Sequence, residues 1–171
     1  ALLAYLRAPS PDRRATLLDA AHERHPHAAA PGTKHVLVIA NDTLHGDDLR
    51  ALIVGDASQR VEVDVLAPVL VSRTHLAVSD VDRGLDEARV RLERSLAWAR
   101  EHGIAAHGEV GDPNVATGIE DQLRDAGADE VIVVARQAER QTWQERGALD
   151  RLRSELDVPV RLVGGSGGDR G

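Results

Sequence analysis

The polar residues best placed to do chemistry lie where apolar runs give out. His35 to Ala40 is one such run, and Asn41-Asp42-Thr43 follows it directly, with His45 just beyond. Asn and Asp there form turns by bonding nearby backbone, and the same side chains offer an amide, a carboxylate and a hydroxyl to a ligand. A second run, Val131 to Val134, gives way at Arg136, whose guanidinium suits a carboxylate or a phosphate. The plainer role of Arg136 is a surface ion pair with Asp42 or Glu139. Gly111-Asp112-Pro113 is a third group, although Asp112 is fully explained as a helix cap with Pro113 at the first helical position. Thr43, His45 and Asp42 could supply a nucleophile, a base and an orienting group on paper. Neighbours on one loop rarely face one another, however, and no Gly-x-Ser-x-Gly elbow occurs. His22, His25 and His27 invite a metal, but Pro26 interrupts them and no carboxylate pattern accompanies them, so they read as a solvated linker.

Composition narrows the classes. The chain has 171 residues, 42% hydrophobic and 29% charged, which suits one well-buried domain. Its net charge is -7, and Phe, Met and Cys are all absent. An acidic surface repels phosphate backbones, and one Tyr with two Trp cannot build a platform for stacked bases, so no nucleic-acid partner is expected. Without Cys there is no disulfide, Fe–S ligation or thiol catalysis. No apolar run approaches the roughly 20 residues of a membrane span, and Ala1 to Leu6 lacks the basic start of a signal peptide, so a cytoplasmic location without membrane contact is expected.

The elements that must position these groups alternate. Val131 to Val134 is β-branched or aliphatic throughout and reads as a strand covered on both faces. His35 to Ala40, Val61 to Leu66, Ile104 to Val110 and Val158 to Val163 read as further strands, with Glu62 and Asp64 turning one face of the second toward solvent. Gly46 to Ala57 reads as a helix with Leu49, Leu52 and Ile53 inward, and Asp47 and Asp48 in its first turn oppose a phosphate there. Val69 to Val81 reads as a loop. Asp82 to His102 is the longest helical pattern, with Leu85, Ala88, Leu92, Leu96 and Ala99 on one face and Trp98 flanking it, its indole edge near solvent. Ala116, Ile119, Leu123 and Ala126 mark the next helix, and Leu149, Leu152 and Leu156 the last, after a capping-box spacing from Thr142 to Glu145. Before all of this, Pro11 to Arg24 reads as a short amphipathic helix. The division expected is a helix and linker over 1–33, an α/β domain over 34–164 and a disordered tail over 165–171.

Val36 to Val163 resembles a universal stress protein domain. The resemblance rests on the opening strand with its polar loop, Gly111-Asp112-Pro113, Ala128-Asp129 before an apolar strand, and the closing Val158-Pro159-Val160, and covers about three quarters of the chain. It implies a three-layer α/β/α fold with a five-stranded parallel sheet of order 3-2-1-4-5, and a homodimer joined through Val158 to Val163. In such a sheet the strand order reverses between the first and fourth strands, so a ligand crevice lies beyond Ala40 and Ala135. Nucleotide-binding members carry Gly-x2-Gly-x9-Gly-Ser/Thr after the fourth strand, where bare backbone approaches ribose and phosphate. Laid without gaps, the pattern falls on Val134, Gln137, Gly147 and Ala148, and Gly147 alone matches. Val134 and Gln137 add side chains, Ala148 lacks the hydroxyl, and Asn41 stands where the family has Asp.

The expectation is therefore a non-catalytic binding or regulatory module of this kind, with no resident cofactor and no ATP held in the family's usual mode. Its crevice residues would be Asn41, Asp42, Thr43, Gly111, Asp112, Arg136 and Gly147. A first alternative keeps an adenine nucleotide in an altered pose on Asn41, Asp112 and Arg136. A second is a small hydrolase.

Overall fold

The computed structural model describes residues 32–55, 59–70, 78–111, 115–125, 127–136 and 147–164. The apolar runs become strands β1 (Thr33–Ala40), β2 (Arg60–Pro68), β3 (Ala105–Gly111), β4 (Glu130–Ala135) and β5 (Val160–Gly164). They form one sheet in the order β3-β2-β1-β4-β5, and each neighbouring pair is parallel. Parallel neighbours need crossovers. Among the described residues these contain α1 (Asp47–Val54), α2 (Val78–Glu101), α3 (Val115–Asp125) and α4 (Ala148–Glu155).

Alternation along β1 divides the core in two. Val36, Val38 and Ala40 pack with Leu49 and Ile53 of α1 and with Trp98 and Ala99 of α2. Leu37 and Ile39 pack on the other face with Ile119 of α3 and Leu149 and Leu152 of α4. Helices thus cover both faces, and all six residues of β4 are buried, as a continuous aliphatic run requires. Each buried Val, Leu or Ile contributes about 1.5–3 kcal/mol relative to exposure. A core made of β-branched and small side chains is adequate without Phe or Met.

Several elements differ from the sequence reading. Helix α1 ends at Val54 rather than Ala57, because Gly55 adopts φ 57 and donates its N–H to the Ala51 carbonyl, a glycine stop. Helix α2 begins at Val78, a turn before Asp82, so the connection after β2 is shorter than expected. Its buried face carries Arg91 and Ser95 as well as Ala88, Trp98 and Ala99. Trp98 is 8% exposed and its indole Nε1 has no partner among the described residues, which corrects the expectation of a solvent-facing edge. Asp64 is buried too, against the expected solvent-facing start of β2, because His35 on β1 takes up its carboxylate. The helix expected at 11–24, the His22 to His27 group, the Asp112-Pro113 cap, Gln137, the Thr142 capping box and the tail 165–171 fall outside the described residues.

At Gly108, Leu92 of α2 and the backbone of β2 both press close to β3. A Cβ there would lie 2.6 Å from Leu92 Cδ1 and 2.7 Å from the Val65 carbonyl oxygen. The carbonyl belongs to the sheet ladder and cannot retreat. Gly108→Ala is expected to destabilise the fold by about 1–3 kcal/mol through overpacking, read as a lower urea midpoint with an unchanged slope.

Candidate functional site

The place where the resemblance puts a ligand crevice is the C-terminal ends of β1 and β4, where the strand order reverses. Ala40 is paired with Val134, and just beyond it the Asp42 amide donates to the Val134 carbonyl at 3.0 Å. That bond continues the ladder and fixes where the loop leaves the sheet. Asp42 Oδ1 then accepts the Thr43 amide at 2.9 Å and lies 3.6 Å from Arg136 Nε. Arg136 is two-thirds exposed while Asp42 is largely covered. His45 Nδ1 lies 2.7 Å from the Thr43 carbonyl, a distance at which the ring nitrogen donates. The Asp42 and His45 contacts with Thr43 therefore run to its backbone.

Helix α2 holds the loop from below. Arg91, 8% exposed, donates from Nε to the Ala40 carbonyl at 2.7 Å and from its terminal nitrogen to the Pro68 carbonyl. One guanidinium thus satisfies the last carbonyls of two strands. The Ser95 hydroxyl donates to the Arg91 carbonyl at 2.8 Å and accepts the Leu44 amide at 3.1 Å. Asn41, 3% exposed, sits among these groups with its Oδ1 unpartnered among the described residues.

The remaining candidate residues are more dispersed. Gly111 ends β3 opposite Pro68, and a Cβ there would meet Leu66 at 2.8 Å. Its bareness therefore has a packing cause. Gly147 opens α4 in the left-handed conformation, φ 61 and ψ 16, with open space around it, so backbone freedom is what that position uses. Asp112 lies outside the described residues. The structure brings Asp42 to Arg136 and holds Asn41, Asp42 and Thr43 on one loop; Gly111 and Gly147 stand at the ends of other elements. Among the described residues no group of three or more His, Asp or Glu is arranged to hold a metal ion. None of the described helices is long and apolar enough to cross a membrane.

No protein-family model and no curated protein matches the chain. Among solved structures, it is similar to a protein from the universal stress protein family of Burkholderia pseudomallei. The TM-score is 0.51 at 18% identity, over 79% of this chain and 98% of that one. The fold is universal-stress-protein-like. At that identity the likeness concerns architecture, and the residues must speak for the chemistry.

Two features of this universal-stress-protein-like sheet escape a sequence reading. Val134 does not crowd the mouth of the crevice: β4 runs one residue past it, and its side chain lies in the core with Val36, Val38 and Ala40. The Asp129 of the Ala128-Asp129 pair has a structural task, accepting the His35 amide on Oδ2 and donating its own amide to the His35 carbonyl, each at 2.8 Å. Arg91 and Ser95 were also missed as parts of the site. Their signal was available, since they share the stripe of Ala88 and Ala99, but polar residues on a helix are ordinarily assigned to solvent. Ser95→Ala would strand the buried Leu44 amide, with an expected cost of about 1–3 kcal/mol and faster hydrogen exchange at Leu44 as the specific readout.

Proposed function

We propose that the chain is a non-catalytic binding or regulatory module that does not hold ATP in the manner of glycine-signature stress proteins. The observation that carries this reading is the Arg136–Asp42 pair at the crevice. The cation that could meet a phosphate already faces a carboxylate, and Asp47 and Asp48 open the nearby helix, where a polyphosphate would otherwise be favoured. Charge, rather than the bulk of Val134, supports the exclusion. The same reading gives the module a cytoplasmic location and no resident cofactor, with neither nucleic acid nor membrane as partner. It pairs two copies through Val158 to Val163, where β5 forms an edge of the sheet.

A second reading has one observation in its favour. The buried, unpartnered Asn41 Oδ1 is an acceptor that a donor on an adenine nucleotide could satisfy, giving an altered pose in the same crevice.

Calorimetric titration with ATP, with and without magnesium, separates the two. The expected result is no binding tighter than about 100 μM, roughly 5 kcal/mol. Tighter binding that is weakened in Asn41→Ala would establish the second reading. Turnover on a phosphoester or acyl panel that disappears in Thr43→Ala would overturn both in favour of a hydrolase.

A further inference from the structure

A concave site lies away from those strand ends. On the face packed by α3 and α4, a cleft of about 360 Å³, open mouth included, is lined by Leu37, Asp64, Leu66, His107, Glu109 and Gln122. Leu37, Asp64 and His107 lie side by side across β1, β2 and β3, well before the strand ends. Asp64 contributes the most buried charge. Its side chain is 8% exposed, and Oδ2 receives His35 Nε2 at 2.7 Å and Gln122 Nε2 at 3.5 Å. With a carboxylate as acceptor, the His35 proton is assigned to Nε2. Oδ1 has no bond among the described residues and is not among the sealed, unpartnered atoms, so it remains open to the cleft.

A carboxylate between Leu37 and Leu66 is costly to bury, and an apolar pair in place of His35 and Asp64 would pack without that cost. Two donors on one oxygen, with the other left facing a cavity, describe a carboxylate held in position for something else. Asp64 gives the cleft a buried negative charge, and no Arg or Lys stands among its described lining, which disfavours an anion. A guanidinium fork needs both carboxylate oxygens, and His35 occupies one. A metal ion would need more ligands than the described groups provide.

We propose that this cleft binds a small organic cation, its primary ammonium group seated on Asp64 Oδ1 with the Glu109 carboxylate at the rim. The cleft is small and open-mouthed, so it suits an ammonium head with no more than a short alkyl chain behind it, against Leu37 and Leu66.

The test is a titration of the full, isotopically labelled chain with n-butylammonium chloride, followed by amide NMR, with 1-butanol and butyrate as the neutral and anionic counterparts. Saturating shifts at Asp64, His107 and Gln122 with a Kd of about 1 mM or tighter, seen for the ammonium alone, are expected. Asp64→Asn should weaken binding by about tenfold or more, the scale of a charge-assisted hydrogen bond. Should that variant lose its dispersed spectrum, Glu109→Lys at the rim is the deciding one, and it too should weaken binding by about tenfold. Absence of saturation up to about 20 mM, an equal response to 1-butanol, or undiminished binding in a folded variant would overturn the proposal. Shifts confined to Asn41, Asp42 and Thr43 would also overturn it, because they report the crevice and not the cleft.

Discussion

The ladder between β1 and β4 is the constraint on which the other parts depend. The chain winds outward from β1 through β2 to β3, then returns across the sheet to β4 and β5, so this pairing joins the two halves of the sheet. Its start is secured three ways: by Asp129 on the His35 backbone, by Glu130 with Lys34 at 2.9 Å, and by Glu130 with Arg161 at 2.6 Å. Glu130 is nearly buried between those cations. Loss of either cation from so enclosed a carboxylate costs more than loss of a surface pair, because the remaining charge is left poorly solvated. At its far end the ladder delivers Asn41 and Arg136 to the same place.

Polar groups inside this aliphatic fold fall into two kinds. Arg91 and Ser95 serve the backbone, closing carbonyls and an amide that strand ends would otherwise leave unmet. Such groups stabilise chiefly by preventing a penalty, since an unmet buried donor or acceptor costs more than a made bond gains over water. His35 and Asp64 serve no backbone group through the contact they make with each other. They join side chains across β1 and β2 where Leu or Val would suffice, which is why that pair, and not the Arg91 network, points outward from the fold to a ligand.

Much of the architecture was legible because aliphatic runs and helical stripes are periodic signals. Val131 to Val134 had to be a strand with two covered faces, and it is. The order of strands came only with the family resemblance; periodicity says nothing about which strand lies beside which. Element ends were less legible. The Gly55 stop was masked by Asp56 and Ala57, which do not contradict a helix, and the start of α2 hid in a stretch of mixed polarity. The site was legible at Asn41 to Thr43 and Arg136, where polar residues follow apolar runs. Asp64 was illegible and Arg91 legible only through its place on the stripe of Ala88 and Ala99, because a charged residue within a strand or helix signals solvent unless its partner is known, and the partners here are 29 and 51 positions away in sequence.

The anchoring of the crevice loop has a mechanical side. Ala40 and Leu44 are bonded to side chains of α2, so a ligand that displaces the loop must either break those bonds or tilt the helix as a lever. About two turns along from Arg91, the same helix carries Trp98, enclosed in aliphatic side chains with its ring 4.6 Å from that of His102. The indole is thus carried on the same helix that holds the loop, about two turns away from the Arg91 anchor.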